Sequence, residues 1–499
     1  MELSFGWNDV FLVSPAIVLF LFSLLPVFLK VINGNKADSL FTSYGVSLIG
    51  LFVAAGFSVA VVFRQILEGG SQLAFSDALV MDGLSSFASL MVIVISIFAL
   101  LLSRDSLALK GELFSEFCFL LLNAAVGMMV VAWSNDLILT FIGIEMMSLC
   151  LYIMIAMSHE PIFSKESAFK YFVLGSFASA ILLYGMAFLY GATGSTYLPD
   201  ISEMAAEMVL THRIFIIGIL FTLVGFVFKV AIVPFHAWTP DVYQGSPTSI
   251  TAFMATGVKV VVFIALIRFM LTDFVLTPDS IISQVLQWLA VITMVVGNFV
   301  AIKQDNLKRM LAYSSISHSG YILVGLIAAS LPGSQVEGVS AVLFYSLSYA
   351  VMTIGSFAVV ALFEKQHDTQ VNINDLKGLA TSNPYVAFSL TAILISLAGI
   401  PPTIGFFGKF FVFSSAIKQG LYWITIWGVI SSVVSVYYYL RPVVYMYMKE
   451  ADFGQQSMLR DDAQSTKFTV FFASLFVIIA GLLSQLFYDL IGHSVMTLF

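Results

Sequence analysis

Charge is what this 499-residue sequence has least of: Asp, Glu, Lys and Arg make up 10% of it, against 60% for hydrophobic residues. Soluble domains carry roughly 25% charged and 45–50% apolar side chains, so the chain reads as an integral membrane protein. A net charge of −7 supplies no basic patch for a phosphate backbone, which excludes nucleic acid as a partner class. Cysteine is nearly absent. Cys118 and Cys150 are too few and too far apart for a disulfide framework or a metal cluster, and both read as helix-packing residues. There is no phosphate-binding glycine motif, no cysteine cluster for iron–sulfur and no paired histidine ladder for haem, so redox work is expected elsewhere. The first apolar run, from about Val10 to Leu29, has Glu2 and Asp9 where a leader would carry basic residues, and shows no clear cleavage site. It is expected to remain as the first transmembrane helix.

What the chain does have is long apolar runs. A bilayer core needs about 20 such residues per helical span, and runs of that kind lie near 10–29, 40–63, 84–103, 113–132, 136–157, 166–190, 212–235, 247–270, 281–302, 308–330, 339–363, 385–416, 420–446 and 467–491. The expectation is an all-α polytopic fold of about 14 transmembrane helices. The runs are continuous and do not alternate, which excludes a β-barrel.

Lys and Arg orient it. Placing the N-terminus outside puts Lys30, Lys36, Arg104, Lys110, Lys165, Lys303, Lys308, Arg309, Lys365, Lys377, Arg441, Lys449, Arg460 and Lys467 on one face, and only Arg64, Arg213, Arg268 and Lys418 on the other. By the positive-inside rule the first face is cytoplasmic and both termini are periplasmic.

Four basic residues remain: Lys170, Lys229, Lys259 and Lys409, all inside or near the end of a span. A charge at the bilayer centre costs on the order of 2.5–3.5 kcal/mol on insertion scales, so these need partners or water. The one mid-span acid is Glu145, in LTFIGIEMMSLCLYIM, and an ion pair between Glu145 and Lys229 is the natural expectation. The alternative is snorkelling to the headgroups. It fits Lys170, four residues into its helix, as well as a buried role does. It fits Lys229 and Lys259 poorly, because Lys259 lies near the middle of its span.

The seventh span carries a break. Pro234 lacks an N–H, frees the Val230 carbonyl and disfavours helix at Val233. A second break, Pro401 and Pro402 with Gly405 and Gly408, stands ahead of Lys409 in the twelfth span. Broken helices in corresponding places point to inverted repeats with an ion site at their interface. The expected organisation is an N-terminal three-helix segment (1–110), a first repeat of helices 4–8 (111–272), a second repeat of helices 9–13 (273–448), and a cytoplasmic loop with helix 14 (449–499). The correspondence is imperfect, since Lys229 precedes its break and Lys409 follows its own.

A lysine in a low-dielectric site can exchange protons with its neighbours. Glu145, Lys229 and Lys259 therefore read as members of a proton relay. His318 and Lys409 are the second-half candidates, with Lys308 at the cytoplasmic entrance and Lys170 as a further candidate. His318, among Ser314, Ser315, Ser317 and Ser319, fits either a relay or hydrogen-bonded packing. His236 and Asp241 read as vestibule or capping residues.

The stretches FKVAIVPFHAWTPDVYQGSPTSITAFMATGVKVVVF (228–263), KRMLAYSSISHSGY (308–321) and GIPPTIGFFGKFFVF (399–413) resemble the antiporter-like membrane subunits of bacterial respiratory complex I. The TPDVYQGSPT wording is closer to the N-type subunits than to the L or M types or to the multisubunit sodium/proton antiporters. The resemblance covers essentially the whole chain. It implies a proton-translocating subunit of an NADH:quinone oxidoreductase in the bacterial inner (plasma) membrane. It also implies no cofactor in this chain, with FMN, iron–sulfur clusters and quinone in partner subunits, and it expects other complex I membrane subunits, lipid, protons and internal water as partners. The family's membrane-embedded glutamate falls on Glu145 and its lysine sites on Lys229, Lys259 and Lys409; the long lateral helix of the L-type subunits is not expected. Two other readings stand beside this one: a subunit of a multisubunit Na+/H+ antiporter, and a non-pumping scaffold.

Overall fold

The computed structural model describes residues 6–32, 40–68, 70–106, 113–157, 161–271, 277–333, 335–364, 370–450, 459–460 and 462–496. Lys36, Lys110, Lys365 and Glu2, and the boundaries drawn at 110/111 and 272/273, lie wholly or partly outside the described residues.

The chain is helical almost throughout. A short α1 (Trp7–Leu12) precedes α2 (Ser14–Ile32) and α3 (Leu40–Glu68), and a two-stranded hairpin, β1 (Gln72–Ala74) with β2 (Leu79–Met81), follows. Next come α4 (Gly83–Asp105), α5 (Phe114–Trp133), α6 (Leu137–Ala156) and α7 (Pro161–Thr193). An amphipathic α8 (Leu198–Thr211) is bent by 116° from α9 (Arg213–Lys229). Beyond a turn lie α10 (Trp238–Gly245), α11 (Thr248–Phe253), a π-turn (Met254–Val258) and α12 (Lys259–Met270). The second half holds α13 (Ile281–Ile302), α14 (Leu307–Ala329), α15 (Gln335–Leu362), α16 (Leu379–Ser382), α17 (Pro384–Ala398), α18 (Ile404–Lys418) and α19 (Tyr422–Met448). α20 (Gln464–Leu482) and α21 (Ser484–Val495) close the chain.

Helix ends follow the sequence closely where a short polar side chain stands at the boundary. Asp82 accepts from the Ser85 N–H at 2.9 Å, Asp136 from Ile138 at 2.8 Å, and Asn306 from Arg309 at 3.0 Å, each satisfying a first-turn donor that the helix cannot. Pro384 opens α17 at a position where its missing N–H costs nothing.

Twelve helices among the described residues are individually long and apolar enough to cross a bilayer, thirteen if the bent α8–α9 pair counts as one. The difference from the expected fourteen lies at the two broken spans, whose pieces of 17 residues (α9) and 15 residues each (α17 and α18) are short on their own. The bend at His212, the amphipathic α8 and the β-hairpin were not anticipated, because segments this short and mixed in composition carry no span signal.

Burial ranks the helices. The span from Thr248 to Met270 is 100% buried and α14 94%, whereas α2 and α3 are only 28% and 33% buried, so the former form the centre and the latter a rim. The centre holds Lys259, Lys308 and His318. Neighbour relations recur between the halves: α5 packs on α6, α6 on α7, α7 on α9 and α12 on α5, while α13 packs on α14, α14 on α15, α15 on α18 and α13 on α19. Each of the first four contacts has its counterpart five spans later.

Candidate functional site

α9 ends at Lys229 because the following residues cannot continue it. Ala231 takes left-handed backbone (φ 60), Pro234 has no N–H to give, and helix resumes only at Trp238. Backbone groups loosened at membrane depth need other partners, and three side chains provide them. Ser319 Oγ donates to the Val230 carbonyl at 2.6 Å, Thr293 Oγ1 accepts from the Val233 N–H at 3.0 Å, and the Trp238 indole donates to the Phe228 carbonyl at 3.1 Å. The carbonyl that Pro234 was expected to free is thus the one Ser319 caps.

Lys229 is 2% exposed, and its ammonium donates to Ser148 Oγ at 2.8 Å. Ser148 lies one turn beyond Glu145 on α6, and Glu145 accepts from Ser179 Oγ of α7. The direct Glu145–Lys229 ion pair is therefore not the contact formed. A serine hydroxyl holds each partner. The reason is placement: Glu145 is only half-buried, between the exposed Ile142 and Leu149 on α6, whereas Lys229 is enclosed.

The central helices hold the next group. Lys259 donates to Ser315 Oγ at 2.6 Å and also to the Ser315 carbonyl, with its ammonium 4.9 Å from the centre of the Tyr349 ring. Tyr349 and Ser315 share a hydrogen bond of 2.7 Å. The π-turn immediately before Lys259 decides which way it faces, because one extra residue rotates everything beyond it by about 100°. Ser319, which caps Val230, also donates to the Ser315 carbonyl at 3.3 Å. One turn of α14 thereby joins the break after Lys229 to the serine that holds Lys259.

His318 sits between two tyrosines, with Nδ1 2.7 Å from the Tyr345 hydroxyl and Nε2 3.0 Å from that of Tyr439, which also meets Ser314 Oγ. A neutral imidazole has one donor and one acceptor nitrogen, and a phenol can play either part. The chain Tyr345–His318–Tyr439 can therefore reverse its direction of donation without losing a bond.

Lys409 spends its three donors on the Leu397 carbonyl at 3.1 Å, the Ala398 carbonyl at 2.9 Å and Ser432 Oγ at 2.9 Å, with its ammonium 5.0 Å from the centre of the Tyr321 ring. Leu397 and Ala398 end α17, and a helix carboxyl end favours a cation. Lys229 occupies the last turn of α9. The two ammonium groups are thus held differently, Lys409 by the carbonyl end of the half-helix before its break and Lys229 by a serine hydroxyl of a neighbouring helix.

Of the remaining candidates, Lys170 is part-exposed and Lys308 is enclosed. Lys170, 41% exposed, pairs with Glu166 and Asp241, each at 2.8 Å, and Arg309 reaches Asp241 at 2.6 Å. Burial raises the Asp241 carboxyl, but the hydrogen bonds and charges of Lys170 and Arg309 outweigh it and hold the group below its usual range. Asp241 lies in the first turn of α10, and His236 is half-buried beside the break. Lys308, read as lying at an entrance, is fully enclosed: it meets Glu364 Oε1 at 3.3 Å and the Ser246 carbonyl at 3.1 Å. Glu364, Ser148, Ser179, Tyr345, Tyr349 and Tyr439 were all missed. Tyrosine counts as apolar in a span, serine is common there, and Glu364 stands just past the end of α15. At the opposite face Arg268 grips Asp82 through two 2.8 Å bonds, and further bonds to the Ala132 carbonyl and Ser85 tie three helix ends together.

A profile of the family described as "NADH:quinone oxidoreductase/Mrp antiporter, TM" matches residues 134–435. Among curated relatives, an NADH-quinone oxidoreductase subunit N of Bdellovibrio bacteriovorus is 47% identical, covering 99% of this chain and 100% of its own. A chain of the solved respiratory complex I from Thermus thermophilus is 30% identical with a TM-score of 0.79, covering 95% of this chain and 98% of that one. A chain of the Mrp complex from Dietzia, 20% identical with a TM-score of 0.81, covers 96% of this chain and 97% of that one and shares its fold.

Proposed function

The chain belongs to the family of NADH:quinone oxidoreductase and Mrp antiporter membrane subunits, and from that premise we propose that it is an N-type subunit of a complex I membrane arm that carries protons through Glu145, Lys229, Lys259, His318 and Lys409. One observation carries the relay: Lys229, Lys259 and Lys409 are all enclosed at membrane depth, and each is held by neutral oxygens in place of a carboxylate. Packing alone gives no reason for such charges, which are costly at that depth. Ammonium groups held by hydroxyls and helix-end carbonyls can release a proton without breaking an ion pair, as a relay requires. The chain itself performs no redox step. FMN, iron–sulfur clusters and quinone belong to partner subunits, whose reaction biases these lysines between charged and neutral. The recurring helix contacts support division into repeats at 111–272 and 273–448. The basic loops support placing both termini on the periplasmic side.

The test is co-purification. A tag on this chain in its native membrane should bring down flavin, iron–sulfur clusters and NADH:quinone reductase activity. Recovery of membrane antiporter chains alone, without flavin, would replace this reading with a sodium/proton antiporter.

A further inference from the structure

The Lys308–Glu364 pair has no part in the line just described, yet it is the most completely enclosed ion pair among the described residues, with side-chain exposures of 0% and 2%. Its four contributors come from one end of the central bundle: Ser246 just after α10, Thr248 at the start of α11, Lys308 at the start of α14, and Glu364 just after α15. Two residues further along two of these segments, toward the face that the basic loops mark as cytoplasmic, Gln244 and Asn306 both donate to Gln370, at 2.7 Å and 3.0 Å, and form a neutral amide cluster that we take as the roof of the pair. Inward, Ser315, the partner of Lys259, lies two turns along α14 from Lys308, and the Tyr243 hydroxyl stands 3.5 Å from Ser315 Oγ. Replacing a buried ion pair by apolar side chains is often neutral or stabilising, so stability does not account for retaining this one.

We propose that Glu364, with Lys308, is the proton-loading site of the relay: its carboxylate takes a proton from water beyond the amide roof and delivers it through the α11 and Tyr243 hydroxyls to Ser315 and Lys259. Each step breaks one O–H bond and makes the next. The last forms an N–H bond on the neutral Lys259 amine, and no electrons move. The assignment rests on the proton-carrying function proposed above.

The experiment measures protons taken up per NADH oxidised in inverted membrane vesicles matched for complex content. Glu364→Gln should lower that ratio by at least about fivefold, a conservative floor beside the roughly hundredfold or more that a positioned proton-transfer group contributes, and Glu364→Asp should restore much of it. The neutral double variant Glu364→Leu/Lys308→Met leaves no charge orphaned, so it assembles even where the single variant does not, and it should be equally deficient. A double variant that pumps like wild type would make the pair structural and overturn the assignment. Lys229→Ala, measured alongside, separates the two levels of argument. If it is deficient while the double variant is normal, only Glu364 loses its role; if it too is normal, the relay itself falls.

Discussion

Gly399→Ala offers a clean way to move Lys409 without touching it. Gly399 ends α17 with φ 85, and a methyl group placed there would lie 3.0 Å from Lys409 Cδ and 3.2 Å from Nζ. Two effects follow. The left-handed backbone costs an L-residue roughly 1–2 kcal/mol, and the methyl group pushes the ammonium by a few tenths of an ångström away from the carbonyls of Leu397 and Ala398, now at 3.1 Å and 2.9 Å. Gly420 separates these effects, because it has nearly the same backbone (φ 74) and nothing within 4 Å of the added carbon. Gly420→Ala should therefore show the conformational cost alone, as a modest loss of thermal stability with unchanged pumping per complex. Gly399→Ala should match that stability loss and in addition lower proton uptake per NADH by about three- to tenfold, given that a 1 Å misplacement of a reacting group can cost about a hundredfold. The assay is proton uptake and NADH oxidation in inverted vesicles, normalised to assembled complex. Equal pumping by the two variants would show that the position of Lys409 does not matter and would refute the reasoning.

Other consequences are simpler to state. Arg268→Ala strands Asp82 in a buried site and should destabilise the chain by roughly 3–5 kcal/mol; this would be seen as reduced assembly, with normal pumping in the complexes that do form. Ser319→Ala removes the donor to the Val230 carbonyl and should cost about 1–3 kcal/mol, measurable as a lower melting temperature of the purified complex. Asp241→Asn should cost less than about 1 kcal/mol at pH 7, since its pairs with Lys170 and Arg309 are part-exposed. The carboxyl of Asp241 is depressed in the fold, so its contribution is present above the unfolded carboxylate range and is lost as pH falls through the lowered value. The difference between Asp241→Asn and wild type should accordingly begin to shrink as pH falls below the unfolded carboxylate range, about pH 4, and vanish only below the lowered folded-state value; a difference that does not shrink on further acidification would contradict the pairing.

Much of the membrane architecture was legible because apolar runs and intramembrane charges are both rare in other settings. Lys229, Lys259 and Lys409 stood out as costs that needed an explanation, and Pro234 and Pro401 as breaks that needed backbone partners. What the sequence could not display was the partners themselves. The acid expected to neutralise Lys229 is replaced by Ser148, and the group that caps the Pro234 break is Ser319, on a helix that begins 73 residues after Pro234 in the chain. The π-turn before Lys259 is a matter of one residue's hydrogen bonding, which hydropathy does not register. Glu364 escaped notice because an acid just past a helix end reads as a loop residue until the fold encloses it.

The central claim is that the enclosed lysines carry protons. The most direct test is proton uptake per NADH oxidised in inverted vesicles bearing Lys229→Ala at wild-type complex content. The relay predicts that the ratio falls severalfold while the complex still assembles. A ratio equal to that of wild type would contradict it and leave Lys229 as a buried charge that serves structure alone.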